Sequence, residues 1–162
     1  MTLRAVAVPQ YAFLSRHVGQ GATYTDCYEV VVPGQVDLAQ FICRFYTSWL
    51  FRLERLVLSL ALRRRIADAE VAALAAGAEA FAIWRVEARG ARQILLCDLR
   101  GSTCSWLAVA PGDGGGTQLL FGSAVMARPG RDLPRIVRIL TPFHKVYARG
   151  LLRAAAARLA KG

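Results

Sequence analysis

The chain has 162 residues, 55% of them hydrophobic, and a formal net charge of +10. That length fits one domain spanning 1–162, and the apolar content is enough to fill a core, which excludes a disordered chain. Every apolar run is broken by charge or turn residues before the roughly 18 needed to cross a bilayer. The longest candidate, 41–62, contains Arg44, Arg52, Glu54 and Arg55.

Nineteen of the 21 basic residues are Arg, and Ala occurs 27 times. The codons of a G- and C-rich bacterial genome favour both residues, and the arginines are scattered apart from the cluster Arg63-Arg64-Arg65. Scatter argues against a nucleic-acid interface, although a basic chain can still meet nucleic acid or an anionic membrane. The start Met1-Thr2-Leu3-Arg4 makes a poor signal peptide, so a cytoplasmic protein is expected. Cysteines at 27, 43, 97 and 104 form no C-x-x-C pair, and the two histidines are His17 and His144. No regularly spaced metal site, and no cofactor, is expected; buried free thiols are the default.

Residues 1–22 read as irregular. Tyr24 to Val32 is rich in β-branched and aromatic residues, which predicts a strand stopped by Pro33-Gly34. Asp37 then offers a helix N-cap and Gln40 the second half of a capping box. Steps of three and four from Leu38 through Phe41, Ile42, Phe45, Trp49, Leu53, Leu56, Val57 and Leu60 predict one long helix with that face inward. Tyr46, Leu50 and Phe51 fall outside it and are apolar too, so the helix would either be buried on more than one side or offer them to a homodimer contact. The triple arginine suits the helix C-terminus. A second helix is expected over about 67–76, with Asp68 near its cap and Gly77 at its end.

From Phe81 to Arg128, strands dominate: FAIWRVEA, RQILLCDL, TCSWLAVA and TQLLFGSAVMA, separated by Arg89-Gly90, Arg100-Gly101 and the segment 111–116. This is the spacing of an antiparallel meander. Gly122 inside the last strand predicts a bulge or a close backbone approach. Two-residue turns would place Trp84 opposite Leu95, Leu95 opposite Trp106, Glu87 opposite Arg92 and Cys97 opposite Cys104. Ala82, Trp84, Val86, Leu95, Cys97, Leu99, Cys104, Trp106 and Ala108 would then share the buried face. Cys97 and Cys104 could form a cross-strand disulfide, although two buried thiols are the ordinary expectation. Pro134 allows a helix start, and Thr141 with Pro142 can begin a second one. That helix would turn Phe143, Val146, Tyr147, Leu151, Ala154 and Ala155 inward, and Gly150 suggests a close neighbour.

The expected architecture is therefore α+β: an antiparallel meander packed against two helices after the first strand and a long C-terminal helix. This order is similar to the helix-grip fold of the START and Bet v 1-like superfamily, with a cystatin- or NTF2-like cone as the nearest rival. The segments at 81–86, 121–125 and His144-x-x-Tyr147-x-Arg149-x-Leu151-Leu152 also resemble a small bacterial family of unknown function. The helix-grip resemblance implies about seven strands, of which five are clear, and a cavity holding apolar ligands. The residues proposed to bind an apolar or amphipathic small molecule are Trp84, Leu95, Trp106, Phe121, His144, Tyr147 and Gly150. An enzyme in the same cavity (a cyclase, dehydratase or hydrolase) is the alternative, with His144, Tyr147 or Asp98 as acid–base groups.

Overall fold

The computed structural model describes residues 1–127 and 135–161, with the side chains of 61–62 and 135–140 excepted. The expected helix start at Pro134 lies outside the described residues. Among the described residues, seven antiparallel strands form one sheet in the order β1-β2-β7-β6-β5-β4-β3. They are β1 (Arg4–Ala5), β2 (Thr23–Val32), β3 (Ala80–Phe81), β4 (Trp84–Arg89), β5 (Gln93–Asp98), β6 (Thr103–Pro111) and β7 (Thr117–Met126). The helices are α1 (Leu38–Tyr46), α2 (Trp49–Leu62), α3 (Asp68–Ala75) and α4 (Arg135–Leu159). One strand, three helices, a meander and a long final helix across the sheet make this α+β architecture a helix grip. The two strands missing from the sequence reading are two-residue edge pieces, one from the N-terminal segment and one split from the start of β4.

Local chemistry fixes several elements as expected. Asp37 accepts from Gln40 N while Gln40 Oε1 accepts from Asp37 N, so the capping box is complete. The long helix, however, breaks after Tyr46. Thr47 Oγ1 donates to Cys43 O at 2.6 Å, and Ser48 restarts the chain by capping Phe51 N. Arg158 reaches across from α4 to the Thr47 carbonyl at 2.9 Å. Two residues outside helical geometry throw the apolar stripe out of phase, because each helical residue advances about 100°. As a result Phe51 and Tyr46 are buried, while Trp49, Leu53, Leu56, Val57 and Leu60 are 54–72% exposed. The predicted inner and outer faces are exchanged beyond residue 48, and Tyr46 and Phe51 cannot form a dimer surface.

Asp68 does not cap α3. Its carboxylate pairs with Arg52 and Arg55, and Glu70 accepts from Ala67 N instead. Arg55 is itself buried and also donates to the Ile66 and Tyr46 carbonyls, tying the ends of α1 and α2 to α3.

The last helix runs through Pro142 without restarting. Pro142 is exposed, and its missing N–H removes a single intrahelical bond. The inner face is Ala148, Leu151, Leu152, Ala155 and Ala156, while Phe143 and Val146 are exposed. Small alanines let α4 approach the sheet closely over β2 and β7.

The β5–β6 register is the expected one, with Cys97 opposite Cys104 and Leu95 opposite Trp106. The β4–β5 register is not. Trp84 opposes Asp98, and a bulge falls between Val86 and Ala88. Arg89 pairs with Ile94, so the turn is longer than two residues. A shift by an odd number of positions exchanges faces. Trp84 and Val86 therefore pack in the helix-side core, whereas Leu95, Cys97, Cys104, Trp106 and Ala108 face the other way. Glu87, freed from Arg92 at the bulge, pairs with Arg16 at 2.8 Å.

That outer face is covered by the N-terminal segment and its 3₁₀ turn, Phe13–His17. Gln93 Oε1 accepts from both Phe13 N and Trp106 Nε1. Leu14 is fully buried there. Gly122 is the close approach its sequence position suggests, with no bulge in its ladder. A Cβ at 122 would lie 2.6 Å from Leu14 Cδ2 and 3.2 Å from Trp106 Cε3. Cys97 and Cys104 are joined by a disulfide, against the expectation of two free thiols; Cys27 and Cys43 are free.

Candidate functional site

Between the helix side of the sheet and α4 lies a cavity of about 220 Å³. Its walls are built where α1, α2 and the sheet bring aromatic rings together. Phe45 packs on Phe121 with ring centres 4.7 Å apart, and Phe51 lies 5.9 Å from Trp84. Behind them Phe81 stacks on Trp84, so these rings are held by neighbours and do not collapse into the gap. Ala148 and Leu151 of α4 close the opposite wall.

Two polar groups of residues stand at the cavity. In the first, Asp26 of β2 is directly opposite Ser123 of β7, and α4 brings His144 over both. Ser123 Oγ donates to Asp26 Oδ1 at 2.5 Å and lies 2.8 Å from His144 Nε2. The same nitrogen is 3.4 Å from Asp26 Oδ2. Tyr24 and Tyr28 hydroxyls also donate to Oδ2, at 3.0 and 3.3 Å. Burial is the strongest influence on Asp26 and opposes its ionisation. The bonds from His144, Ser123 and Tyr24 outweigh burial and hold the carboxyl below its usual range. Burial and the Asp26 charge push the Tyr28 phenol up to about 12.

These three residue types make up a hydrolase triad elsewhere, but the order of bonds here is different. A relay needs the carboxylate on Nδ1 and the serine proton directed to Nε2. The single Ser123 proton goes to Asp26, which leaves Nε2 to donate to Ser123. Serine is thereby stabilised as a bridge and is not activated as a nucleophile. The arrangement presents the polar tips of Ser123 and His144 to whatever enters the cavity, held in place by the Asp26 carboxylate behind them.

In the second group, Tyr147 donates to Glu54 Oε2 across the contact between α4 and α2. Burial raises the Glu54 carboxyl above its usual range, partly offset by the Tyr147 bond and the nearby His144. Burial and then Glu54 hold the Tyr147 phenol firmly protonated at neutral pH. Tyr46 and Ser105 share a further hydrogen bond of 3.1 Å at the cavity wall.

Of the residues singled out in the sequence, Trp84, Phe121, His144 and Tyr147 line this cavity. Leu95 and Trp106 do not, because the shifted register and bulge leave them on the outer face under Leu14. Gly150 receives Leu50 of α2, whose Cδ2 would lie 2.9 Å from an added Cβ, and so serves helix packing. Asp98 is no acid–base candidate. Its carboxylate accepts from Ser102 N and Oγ and from Thr103 N, closing the β5–β6 turn. Asp26, which is bonded to Ser123 beside the cavity, and Ser123 and Glu54 of the lining itself are polar groups that sequence reasoning missed. The alternation Tyr24, Asp26, Tyr28 on one strand face held a signal for the first, since a carboxylate between inward tyrosines must find donors.

No protein-family model matches the chain, and no curated protein does. Among solved structures, the crystal structure of Ara h 8.0201 is similar to it. The identity is 11%, the alignment covers 86% of this chain and 99% of that one, and the TM-score is 0.44.

Proposed function

We propose that the chain binds a compact apolar or amphipathic small molecule between the sheet and α4. The observation that supports this is the 220 Å³ cavity walled by Phe45, Phe51, Trp84 and Phe121, with Ser123, His144, Glu54 and Tyr147 among the few polar residues of its lining. Pockets of this composition bury the apolar body of a ligand and orient it through a few polar contacts. The volume falls between the roughly 150 Å³ that accommodates benzene and the roughly 300 Å³ at which drug-sized pockets begin. One ring or a short branched chain carrying a polar head fits that range.

Trp84 is the reporter. Titration with medium-chain carboxylates and alcohols, monocyclic phenols and aromatic acids should give saturable quenching with at least one class. Trp84→Phe should abolish the signal. Ala148→Leu, which fills the cavity from α4, should weaken binding about tenfold or more, the cost of roughly 1.4 kcal/mol of overpacking. Absence of saturable binding across the panel, together with no apolar molecule co-purifying in native mass spectrometry, overturns the reading.

A second reading is favoured by a separate observation: we propose that the face of α2 rests on an anionic lipid surface. Trp49, Leu53, Leu56, Val57 and Leu60 form a stripe at steps of four and three, all exposed, and Phe143 and Val146 of α4 extend the apolar surface. A groove lined by Leu50, Leu53, Glu54, Val57 and Tyr147 joins the two helices. Glu54 and Tyr147 also line the cavity, so stripe and cavity meet. Arg63 to Arg65 stand exposed at the end of the stripe, and the net charge is +10. An apolar face bearing Trp and Leu with arginines beside it suits the interface of an anionic bilayer. No helix of the described residues is long and apolar enough to cross one.

Co-sedimentation with phosphatidylglycerol-containing vesicles should exceed that with pure phosphatidylcholine and fall with added salt. Leu53→Gln with Leu60→Gln should remove it. Failure to bind anionic vesicles at low salt overturns the reading. So does a concentration-dependent dimer in sedimentation velocity that the same two substitutions dissolve, which would give the stripe to a second copy.

A further inference from the structure

On the sheet face away from the cavity, four chemically unlike side chains converge at the end of the N-terminal segment. His17 ends the 3₁₀ turn, Glu87 stands at the β4 bulge, Cys97 is on β5 and Cys104 on β6. One imidazole nitrogen, one carboxylate oxygen and two sulfurs all lie within 4.8 Å of one another. His17 Nε2 is 3.9 Å from Cys104 Sγ. We infer that this cluster is a redox-gated site for a zinc-like divalent metal, closed while Cys97 and Cys104 are bridged and formed when they are reduced.

The chemistry follows from the donor set. A disulfide sulfur carries no charge and is a poor ligand, whereas a thiolate is the form that binds metal. A dithiol reductant supplies two electrons and two protons. The Cys97–Cys104 bond breaks, two thiols form, and the reductant leaves as its own disulfide. A divalent ion then displaces both thiol protons and gains two sulfurs, one nitrogen and one oxygen. That four-ligand set suits tetrahedral zinc, with sulfurs at about 2.3 Å and nitrogen at about 2.0–2.1 Å from the ion. The sulfurs need to separate to about 3.8 Å in that geometry, a modest rotation for side chains on directly paired residues. Two thiolates and one carboxylate against a divalent ion leave one negative charge. Arg16 already pairs with Glu87 at 2.8 Å and compensates that charge from the outer side.

The ligands come at 17, 87, 97 and 104, from four separate elements, so no sequence spacing announces them. Neither free cysteine competes well. Burial pushes the Cys27 thiol up to about 12, and burial also raises that of Cys43. Metal binding would fasten the N-terminal segment to three strands at once, and its loss on oxidation would exchange that clamp for a bond between β5 and β6 alone.

The untagged full-length chain, reduced with a phosphine and given zinc, should retain about one equivalent after gel filtration, and the oxidised chain should retain almost none. Cobalt in place of zinc should show thiolate-to-metal charge transfer. Cys97→Ser with Cys104→Ser should abolish both signals while circular dichroism stays native. His17→Ala should weaken zinc binding about tenfold or more. No zinc retained by the reduced wild-type chain, equal retention by the double serine variant, or unchanged affinity in His17→Ala each overturns the proposal.

Discussion

Asp26→Asn should destabilise the fold by about 1.5–3 kcal/mol at neutral pH, the range for hydrogen bonds to a buried charged group. Asparagine keeps the shape of aspartate but replaces one acceptor oxygen with an NH₂ donor. Every partner of Asp26 is a donor: Ser123 Oγ, the Tyr24 and Tyr28 hydroxyls, and the nearby His144 nitrogen. The amide nitrogen therefore loses the bonds that the carboxylate oxygen accepted, and a hydroxyl facing it must turn round to accept instead, with the charge gone. Ser123→Ala removes a single donor and leaves three, so its cost should be nearer 0.5–1.5 kcal/mol.

The pH dependence has a definite sign. The Asp26 carboxyl is held below its unfolded value, so its contribution is present above the ordinary carboxylate range of about 4. It is lost as pH falls through the lower folded value, at a slope approaching about 1.4 kcal/mol per pH unit. Urea denaturation of wild type and Asp26→Asn from neutral pH down to about pH 3 should show two curves converging in acid. Parallel curves, or a variant as stable as wild type at neutral pH, would mean that the cluster does not carry the charge described.

What could be read from the chain alone divides along a physical line. Local chemistry was legible. The Asp37–Gln40 capping box, the β2 strand ended by Pro33-Gly34, and the β5–β6 pairing of Cys97 with Cys104 each depend on residues close in sequence. Features set by tertiary context were not. The α1–α2 break needs only Thr47 and Ser48, but an uninterrupted periodicity of Phe45, Trp49 and Leu53 overrides that signal on paper. In the folded chain Arg158 and Arg55 stabilise the interruption from elsewhere. The β4 bulge leaves almost no mark in the sequence, yet it decides on which side Trp84 stands relative to Trp106. A space between the sheet and the last helix was an expectation that topology carried. The Asp26–Ser123 contact beside it was not legible, because the two meet only through a β2–β7 pairing 97 residues apart in the chain.

The largest single test of the outer layer is a double-mutant cycle between Leu14 and Gly122. Leu14→Ala should cost about 2–5 kcal/mol, since it deletes a fully buried side chain and leaves a cavity. Gly122→Ala should cost about 1–3 kcal/mol by overpacking, because its Cβ would stand 2.6 Å from Leu14 Cδ2 and 3.1 Å from the Asp26 carbonyl. The two costs should not add. Shortening Leu14 removes the nearest obstacle to the new methyl, and the methyl refills part of the space Leu14 vacates. The double variant should therefore be more stable than the sum by about 0.5–3 kcal/mol. Strict additivity, or a neutral Gly122→Ala, would mean that the N-terminal segment does not lie over β7. The cycle thus bears on more than packing. His17 is carried by the same 3₁₀ turn as Leu14, and only a turn anchored in the Gly122 hollow holds the imidazole against Cys104. The absence of a side chain at one strand position is what lets the chain cover the sheet's outer face and bring a histidine to a pair of cysteines.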